Sequence, residues 1–584
     1  MTVRVDNDRP PKRSMRSALA VFVERQTLAM MALGFAAGLP NLLIFDTLSA
    51  WLRDSGLSLQ VIGYFSLATL AYSFKFLWAP LVDRTSVPGL TAWFGHRRSW
   101  MLVCQGLIMV GLWLVAGTNP ATSLGLMALF AVFVGFSSAT QDIVIDAWRI
   151  EAAETSKQGA MAAAYQWGYR IAMVVAGAAP LLLAEAYGWN FSYAIMATLM
   201  GVGIAGVLFA PREKQHAIRP IHAEGIRISP AMEAFEWAAR LVILLGGALL
   251  LGSGLSANAA AMAAFLATIG LGGLGEAAVA AWKPPSGVWF QFAGVVAGFV
   301  IIAIATLPIP RLRTRPGAYL YAALGDPLKD FFRRYGNVAS LILALICFYR
   351  LSDFVLNIMN PFYLDLGFTL SEIAEVRKIF GVVASMLGVF VGGLAVARLG
   401  LLRALVIGAF AAPVANFIFI WLATRGHDLG ALFVAIGLDN VLSGFAGTCL
   451  IAYMSSLTTE GFTATQYALF SSLYSLPGKL IASQSGRIVE GAAKAADSGG
   501  PLSVLNGLFT SLPPESFAHA VERSGVSPAA LGSGYTVFFL YSSGVGVFAI
   551  SLSFVVAWRQ SRAGLKNKEE RPEKTAAPKA ASST

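Results

Sequence analysis

The stretch 137–151, "SSATQDIVIDAWRIE", sets Asp142, Asp146, Arg149 and Glu151 directly behind an apolar run that begins near Leu124. At 3.6 residues per turn, Asp142, Asp146 and Arg149 line one helical face, with spacings of four and three. Asp142 lies roughly 6 Å deeper than Asp146 at ~1.5 Å rise per residue. A carboxylate at that depth is costly when charged, so exchange of a proton is the chemistry it is placed to do, and Asp142 is the leading proton carrier. Asp146 and Arg149, nearer the helix end, read as a gate pair, with Arg149 shared with Asp83 at the end of the second apolar segment. Solvation of a helix end is the competing account. Gln141, on the neighbouring face, is a substrate-binding candidate.

Other ionisable or amide groups sit at similar depth. Arg170 in "QWGYRIAMV" lies about twelve residues into its segment, roughly 18 Å at ~1.5 Å per residue and close to a bilayer midplane. Arg350 in "CFYRLSDFVLN" is as deep, with Asp353 three residues on and on the same face, where the two can compensate each other. Asp46, Lys75, Lys378, Asp439, Asn440 and Gln466 complete the set. Asp353 and Asp439 join Asp142 as proton-coupling candidates. Lys75, Arg170, Arg350, Asn440 and Gln466 join Gln141 as substrate-binding candidates, and Lys75 would modulate the Asp142 carboxylate if the fold brings them together. Pairing within or between helices would satisfy any one of them. The whole set is better explained by a solute-conducting cavity lined by cationic and amide groups, suited to carboxylates, hydroxyls and amides.

Enzymatic chemistry has little support. The five histidines form no metal-spaced pair, and no phosphate-binding loop or nucleophile elbow appears. The three cysteines, Cys104, Cys347 and Cys449, sit in apolar stretches without metal spacing and read as small core residues. No cofactor and no metal is implied. Stretches such as "GLGGLGE" read as close helix packing in lipid.

The elements that position these groups follow from composition. Of 584 residues, 56% are hydrophobic and 13% charged, against about 25% charged in a soluble domain. Apolar runs reach the ~20 residues needed to span ~30 Å of hydrocarbon as helices. Helices are expected at 27–52, 58–82, 98–117, 122–147, 158–187 and 190–210, and again at 337–364, 371–397, 402–424, 429–456, 463–489 and 534–558. That is an all-α polytopic membrane protein of two six-helix bundles, 27–211 and 337–560. The connection 212–336 carries a further apolar region, 238–308, interrupted by "KPPSG", from which two more crossings and a kinked, re-entrant or surface piece are expected. The total is about fourteen.

The formal charge of +11 is not spread like a nucleic-acid surface. Arg and Lys gather in the tail 1–26, in the loops around Arg84, Arg97 and Arg98, Arg149 and Lys157, Arg398 and Arg403, and in the tail 561–584, while alternate loops such as "GTNPATS" carry none. By the positive-inside rule both termini are cytoplasmic. No cleavable signal follows the basic N-terminus, and the C-terminal tail reads as disordered. The loop 490–533 reads as a long extracytoplasmic ornament or short amphipathic cap.

The second predicted helix ends in "LWAPLVDRTSVPGLTAWFGHRRSW", and the eighth in "GGLAVARLGLLRAL". Each is a small-residue helix end, a basic turn, a glycine and another basic residue, at the second helix of its half. The halves should therefore be related by a pseudo-two-fold axis along the membrane normal. The motif resembles the cytoplasmic loop signature of the major facilitator superfamily, with about ten extra residues before Arg97 and Ala397 where an acid would stand. Asp83, Arg84, Arg97, Arg98, Asp146, Arg149, Arg398 and Arg403 are the expected cytoplasmic gate, ionic contacts to be broken and remade as the halves rock.

Further motifs narrow the resemblance. "LGFAAGLP", "LSAWLRDSGLSLQVIGYFSLATLAYSFKFLWAPLVDR", "GHRRSW", "SSATQDIVIDAWRIE", "GYRIAMVVAGAAPLLLA", "NPFYLDLGF", "LDNVLSGFAGTCLIAYMSSL" and "FTATQYALFSSL" resemble the AmpG-type muropeptide permeases, over roughly 27–211 and 337–490. The resemblance implies a proton-coupled, alternating-access importer of GlcNAc-1,6-anhydroMurNAc and its peptides across the bacterial inner membrane, for peptidoglycan recycling, acting as a monomer. Departures from the family pattern are Asp439 in place of Glu, Arg350 in place of Lys, and Asn41 and Asp46 in helix one. With the insertion at 238–308, they leave open a permease of the same fold for another amphiphilic solute, such as a siderophore or metabolite, and a non-transporting membrane receptor.

Overall fold

The computed structural model describes residues 20–55, 72, 75–154, 157–212, 230–256, 259–268, 270–282, 287–307, 309, 314–352, 356–369, 372–373, 375–482, 485–513, 516–517, 521 and 525–562. In the N-terminal half, α1 (Arg25–Leu42) passes through a π-helical turn (Leu43–Thr47) into α2 (Leu48–Asp54). After it come α3 (Ala79–Arg84), α4 (Leu90–Phe94), α5 (His96–Ala116), α6 (Leu124–Ala152), α7 (Gln158–Tyr187), α8 (Trp189–Thr198) and α9 (Gly201–Phe209). Most of the second predicted helix lies outside the described residues.

The connection forms α10 (Pro230–Ser256), α11 (Ala260–Thr268), α12 (Gly272–Ala281), α13 (Gly287–Thr306), α14 (Arg315–Leu320) and α15 (Asp326–Tyr335). Two of its helices, α10 and α13, are long and pack on each other, with the short α11 and α12 between them in sequence. Buried Arg240 on α10 pairs with Glu236 at 2.8 Å and donates to the carbonyls of Ala305 and Leu307, which ties the pair together at one end. Leu251, Val295 and Ile302 of this pair join a core with Met30 and Ile143 of the N-terminal half and with Ala464 and Ala468 of the C-terminal half.

The C-terminal half comprises α16 (Ala339–Phe348), α17 (Leu356–Asp365), a π-helical turn (Glu375–Phe380), α18 (Gly381–Leu399), α19 (Leu401–Arg425), α20 (Leu429–Ser456), α21 (Thr463–Ala482), α22 (Ser485–Asp497), a 3-10 helix (Pro501–Phe509) and α23 (Pro528–Arg562). Among the described residues, ten helices are long and apolar enough to cross a membrane.

Part of the 490–533 segment departs from a simple loop. Val489, Ala493 and Ala496 repeat at helical spacing and are buried, as are Phe509 and Phe517, in one core with Phe362, Tyr535 and Phe539. An apolar stripe of that kind folds back onto α23 instead of standing in solvent.

Close helix crossings bring the polar groups together. On α7, a Cβ at Gly168 would come within 1.9 Å of the Met31 carbonyl oxygen, so α1 and α7 touch backbone to backbone. The two halves meet in the same way where Gly159 of α7 faces Gly393 of α18, a Cβ on Gly393 falling 2.9 Å from the Gly159 oxygen.

Candidate functional site

The polar groups sort into two levels. At the end of the molecule that carries the basic turns, Asp83 terminates α3 and is buried. Arg97, near the start of α5 and fully buried, donates through Nη2 to Asp83 Oδ1 at 2.7 Å and to Glu151 Oε1 at 2.7 Å, and through Nε to Glu151 Oε2 at 3.0 Å. The planar fork of a guanidinium suits this two-oxygen grip on Glu151.

Asp83 also reaches the other half. It accepts from the backbone N–H of Ala464 (3.2 Å) and Thr465 (2.9 Å) and from the Thr465 hydroxyl (2.8 Å). The first N–H groups of a helix have no partner inside it and carry the positive end of its dipole, so a carboxylate from the opposite half caps α21. The pairing of Asp83 with Arg149 expected from sequence does not form; Asp83 takes Arg97 and the α21 terminus instead, because Arg149 is held elsewhere.

Arg149 is fully buried. Its Nη2 lies 3.3 Å from Asp146 Oδ1, its Nη1 donates to Ser455 Oγ of α20 at 2.8 Å, and its guanidinium stands over the Tyr467 ring at 5.1 Å. Gln158, the first residue of α7, donates to the carbonyls of Arg149, Ile150 and Ala153, which satisfies the end of α6 and fixes the turn below Arg149. The halves are joined again where Gln166 Nε2 donates to Thr448 Oγ1 (2.7 Å) and Trp167 Nε1 to the Met386 carbonyl (2.8 Å).

The remaining basic residues of the expected gate act separately. Arg84 donates to the Ala322 carbonyl of the connection at 2.5 Å, and Arg98 to the carbonyls of Val207 and Leu208 at the end of α9. Arg398 and Arg403 are exposed, without an ion pair or hydrogen bond among the described residues.

Deeper lies Asp142. The Lys75 ammonium is 3.8 Å from Asp146 Oδ2 and also acts electrostatically on Asp142, so the fold does bring this lysine to the two acids. Tyr72, Tyr165 and Tyr169 are within electrostatic reach of Asp142, with Tyr72 Oη donating to Ser138 Oγ at 2.8 Å. Asp142 is 9% exposed, and its Oδ1 is buried with no hydrogen-bond partner among the described residues. Gln141, one residue earlier, points the other way: it is fully buried and donates to the Ala36 carbonyl of α1 at 2.9 Å.

Further along α7, Arg170 is partly buried, one turn from Gln166, whose Oε1 and Arg350 Nη1 both border Gly447. Arg350 stands just past the end of α16, where the helix breaks, and donates to Ser443 Oγ (2.5 Å) and Tyr474 Oη (3.4 Å). Asn41 Nδ2 donates to Tyr169 Oη, also at 2.5 Å. Asn440 bonds back to the Ile436 carbonyl of its own helix, and Asp439 lies beside Tyr363, as does Arg377.

Gln466 is placed away from this level. Its Nε2 donates to the Pro327 carbonyl, and its Oε1 accepts from the Thr459 N–H at the basic end. Asp353 and the side chains of Asp46 and Lys378 lie outside the described residues.

Sequence reasoning missed Glu151, Thr465, Ser455 and the three tyrosines as members of the site. Glu151 was visible as an acid at the foot of the same helix. The others are neutral residues, whose roles appear only when the halves are packed.

The arrangement is one of charged and polar groups bonded between two helical bundles, with no nucleophile set beside a base among the described residues. The model of the Major Facilitator Superfamily matches residues 27–325. The chain is 30% identical over 475 residues to the anhydromuropeptide permease of Escherichia coli K12, covering 81% of this chain and 76% of the relative. It is 29% identical over 472 residues to the transporter AmpG 4 of Rickettsia felis, covering 80% and 91%. A multi-pass membrane transporter built in this way, and not an enzyme, the chain belongs to the major facilitator superfamily and, within it, to the AmpG-type permeases.

Proposed function

We propose that this chain is a proton-coupled importer of cell-wall turnover muropeptides, GlcNAc-1,6-anhydroMurNAc and its peptides. It works as a monomer in the bacterial inner membrane with both termini cytoplasmic. The substrate class rests on the relatives' names at about 30% identity. The orientation rests on the basic turns, which would put the Asp83–Arg97–Glu151 cluster at the cytoplasmic face.

The observation that carries the mechanism is Asp142. A buried carboxyl oxygen with no hydrogen-bond partner, within reach of Lys75 and Asp146, is a group whose charge the surroundings do not fully support. Asp146 in turn holds Arg149, which bonds Ser455 of the other half. Loading or losing a proton at Asp142 changes how Lys75 is shared between the two acids, and through Asp146 and Arg149 the hold on α20. Alternating access then consists of breaking the contacts at the basic end while the opposite end closes around the solute. The solute would lie among Asn41, Tyr169, Arg170 and Arg350, at the level where α16 is interrupted.

Uptake of labelled GlcNAc-1,6-anhydroMurNAc into cells tests the reading. Uptake should be abolished by a protonophore and by Asp142→Asn, with the variant still present in the membrane at normal level. Undiminished, protonophore-sensitive uptake by the variant would remove Asp142 from the proton path.

A further inference from the structure

Arg170 and Arg350 come from different halves, and Arg350 lies against α7 one turn from Arg170: a Cβ at Gly447 would meet both Arg350 Nη1, at 3.0 Å, and Gln166 Oε1, at 3.6 Å. Arg350 is held in position: Ser443 Oγ and Tyr474 Oη accept from it, and Gly447 gives it room, since a Cβ there would fall 3.0 Å from Nη1. Arg170 has no ion pair and no hydrogen bond among the described residues, yet the Arg350 charge acts on it. Neighbouring Tyr169 offers it only a neutral phenol already engaged with Asn41.

Two like charges held near each other repel, and the repulsion grows as water leaves and the bundles close. Something negative between them reverses the sign. A guanidinium presents paired N–H donors that match the two oxygens of a carboxylate, and a carboxylate has enough lone pairs to accept from two such forks.

We infer that Arg170 and Arg350 take one carboxylate of the solute between them, one guanidinium from each half, and that this anionic group is what lets the bundles close on the solute. The inference rests on the transport reading above and deepens it. The recognised chemistry is a carboxylate on the solute, the lactyl or peptide carboxylate in a muropeptide, with the sugar hydroxyls and amides left to other groups. A ligand shifts a conformational equilibrium only by its differential affinity for the two states. A carboxylate gripped by one arginine in the open form and by two in the closed form has that difference; a neutral analogue does not.

The test compares GlcNAc-1,6-anhydroMurNAc with its lactyl methyl ester on the full-length purified protein. Affinity is read by titration calorimetry, and spin-label distances between Leu182→Cys and Leu364→Cys report on the two halves. The acid should bind wild type at least about tenfold tighter than the ester, as expected for loss of charge-assisted bonds to a guanidinium pair. Arg170→Gln and Arg350→Gln should each bind acid and ester alike. Without ligand, each Gln variant should already show shorter distances than wild type, because removing one charge removes the repulsion. If a Gln variant fails to fold, Arg170→Lys and Arg350→Lys, which keep the charge and lose the fork, should show reduced discrimination.

Equal binding of acid and ester by wild type would overturn the clamp, as would discrimination that survives in both Gln variants. If neither compound binds, the muropeptide reading falls, and the clamp is then read on a plain dicarboxylate: it stands if succinate shortens the distances in wild type and not in Arg170→Gln. If neither compound binds and the distances do not change, the clamp falls as well.

Discussion

Asp83→Asn should open the basic end of the molecule. In the native protein the Asp83 carboxylate accepts three hydrogen bonds from the first turn of α21, at 3.2, 2.9 and 2.8 Å, and one from Arg97 at 2.7 Å. The amide is isosteric but neutral, and its NH2 must face either Arg97 and the Ala464 N–H, in place of Oδ1, or the Thr465 N–H and hydroxyl, in place of Oδ2. Hydrogen bonds to a charged acceptor contribute about 1.5–3 kcal/mol each, roughly twice their neutral counterparts. Converting one pair and setting one donor against another therefore costs the closed form about 3 kcal/mol, a shift of about a hundredfold at 1.4 kcal/mol per factor of ten. Thr465→Val removes only the hydroxyl bond to the charged acceptor and should cost about 1.5 kcal/mol, roughly tenfold. Arg97 keeps Glu151 in both variants, so the N-terminal half should stay folded. Spin labels at Glu154→Cys and Arg398→Cys, both exposed on opposite halves at this end, read the result by double electron–electron resonance in nanodiscs. The long-distance population should rise in the order wild type, Thr465→Val, Asp83→Asn. Superimposable distributions, or a larger effect from Thr465→Val, would refute the reasoning that a carboxylate from one half caps a helix of the other.

Two further outcomes follow from particular contacts. Gly393→Ala places a Cβ 2.9 Å from a backbone oxygen of Gly159, so the same spin labels should report separation of the halves, while Gly106→Ala, which meets nothing within 4 Å, should match wild type. At Glu372 the Thr369 backbone N–H, its hydroxyl and His427 surround the carboxylate and hold it below its ordinary 4.5. Because the native value is lowered, that stabilisation is fully present above about pH 4.5 and fades as pH falls through the native value. Wild type should melt higher than Glu372→Gln at pH 7, because the charge and not the capping bond is lost, and the gap should shrink below pH 4.5; a gap independent of pH would exclude the carboxylate charge as its source.

Much of this protein is legible as one-body information. The cost of leaving a backbone group unpaired in lipid makes every apolar run of sufficient length a helix, and the 3.6-residue repeat alone put Asp142, Asp146 and Arg149 on one face. The cost of a buried charge flagged Arg170 and Arg350 without any knowledge of their neighbours. Which partner each charge meets is two-body information, and the packing of distant helices decides it. Asp83 caps a helix that begins 380 residues later in the chain. Gln141 turns toward Ala36 because α1 packs on α6, and Gln466 is drawn to the basic end by Pro327 and Thr459. Periodicity places a side chain on a helix, but only the close approach of the halves at Gly159 and Gly393 selects the atoms across the gap, which is why the gate was visible as residue types and its wiring was not.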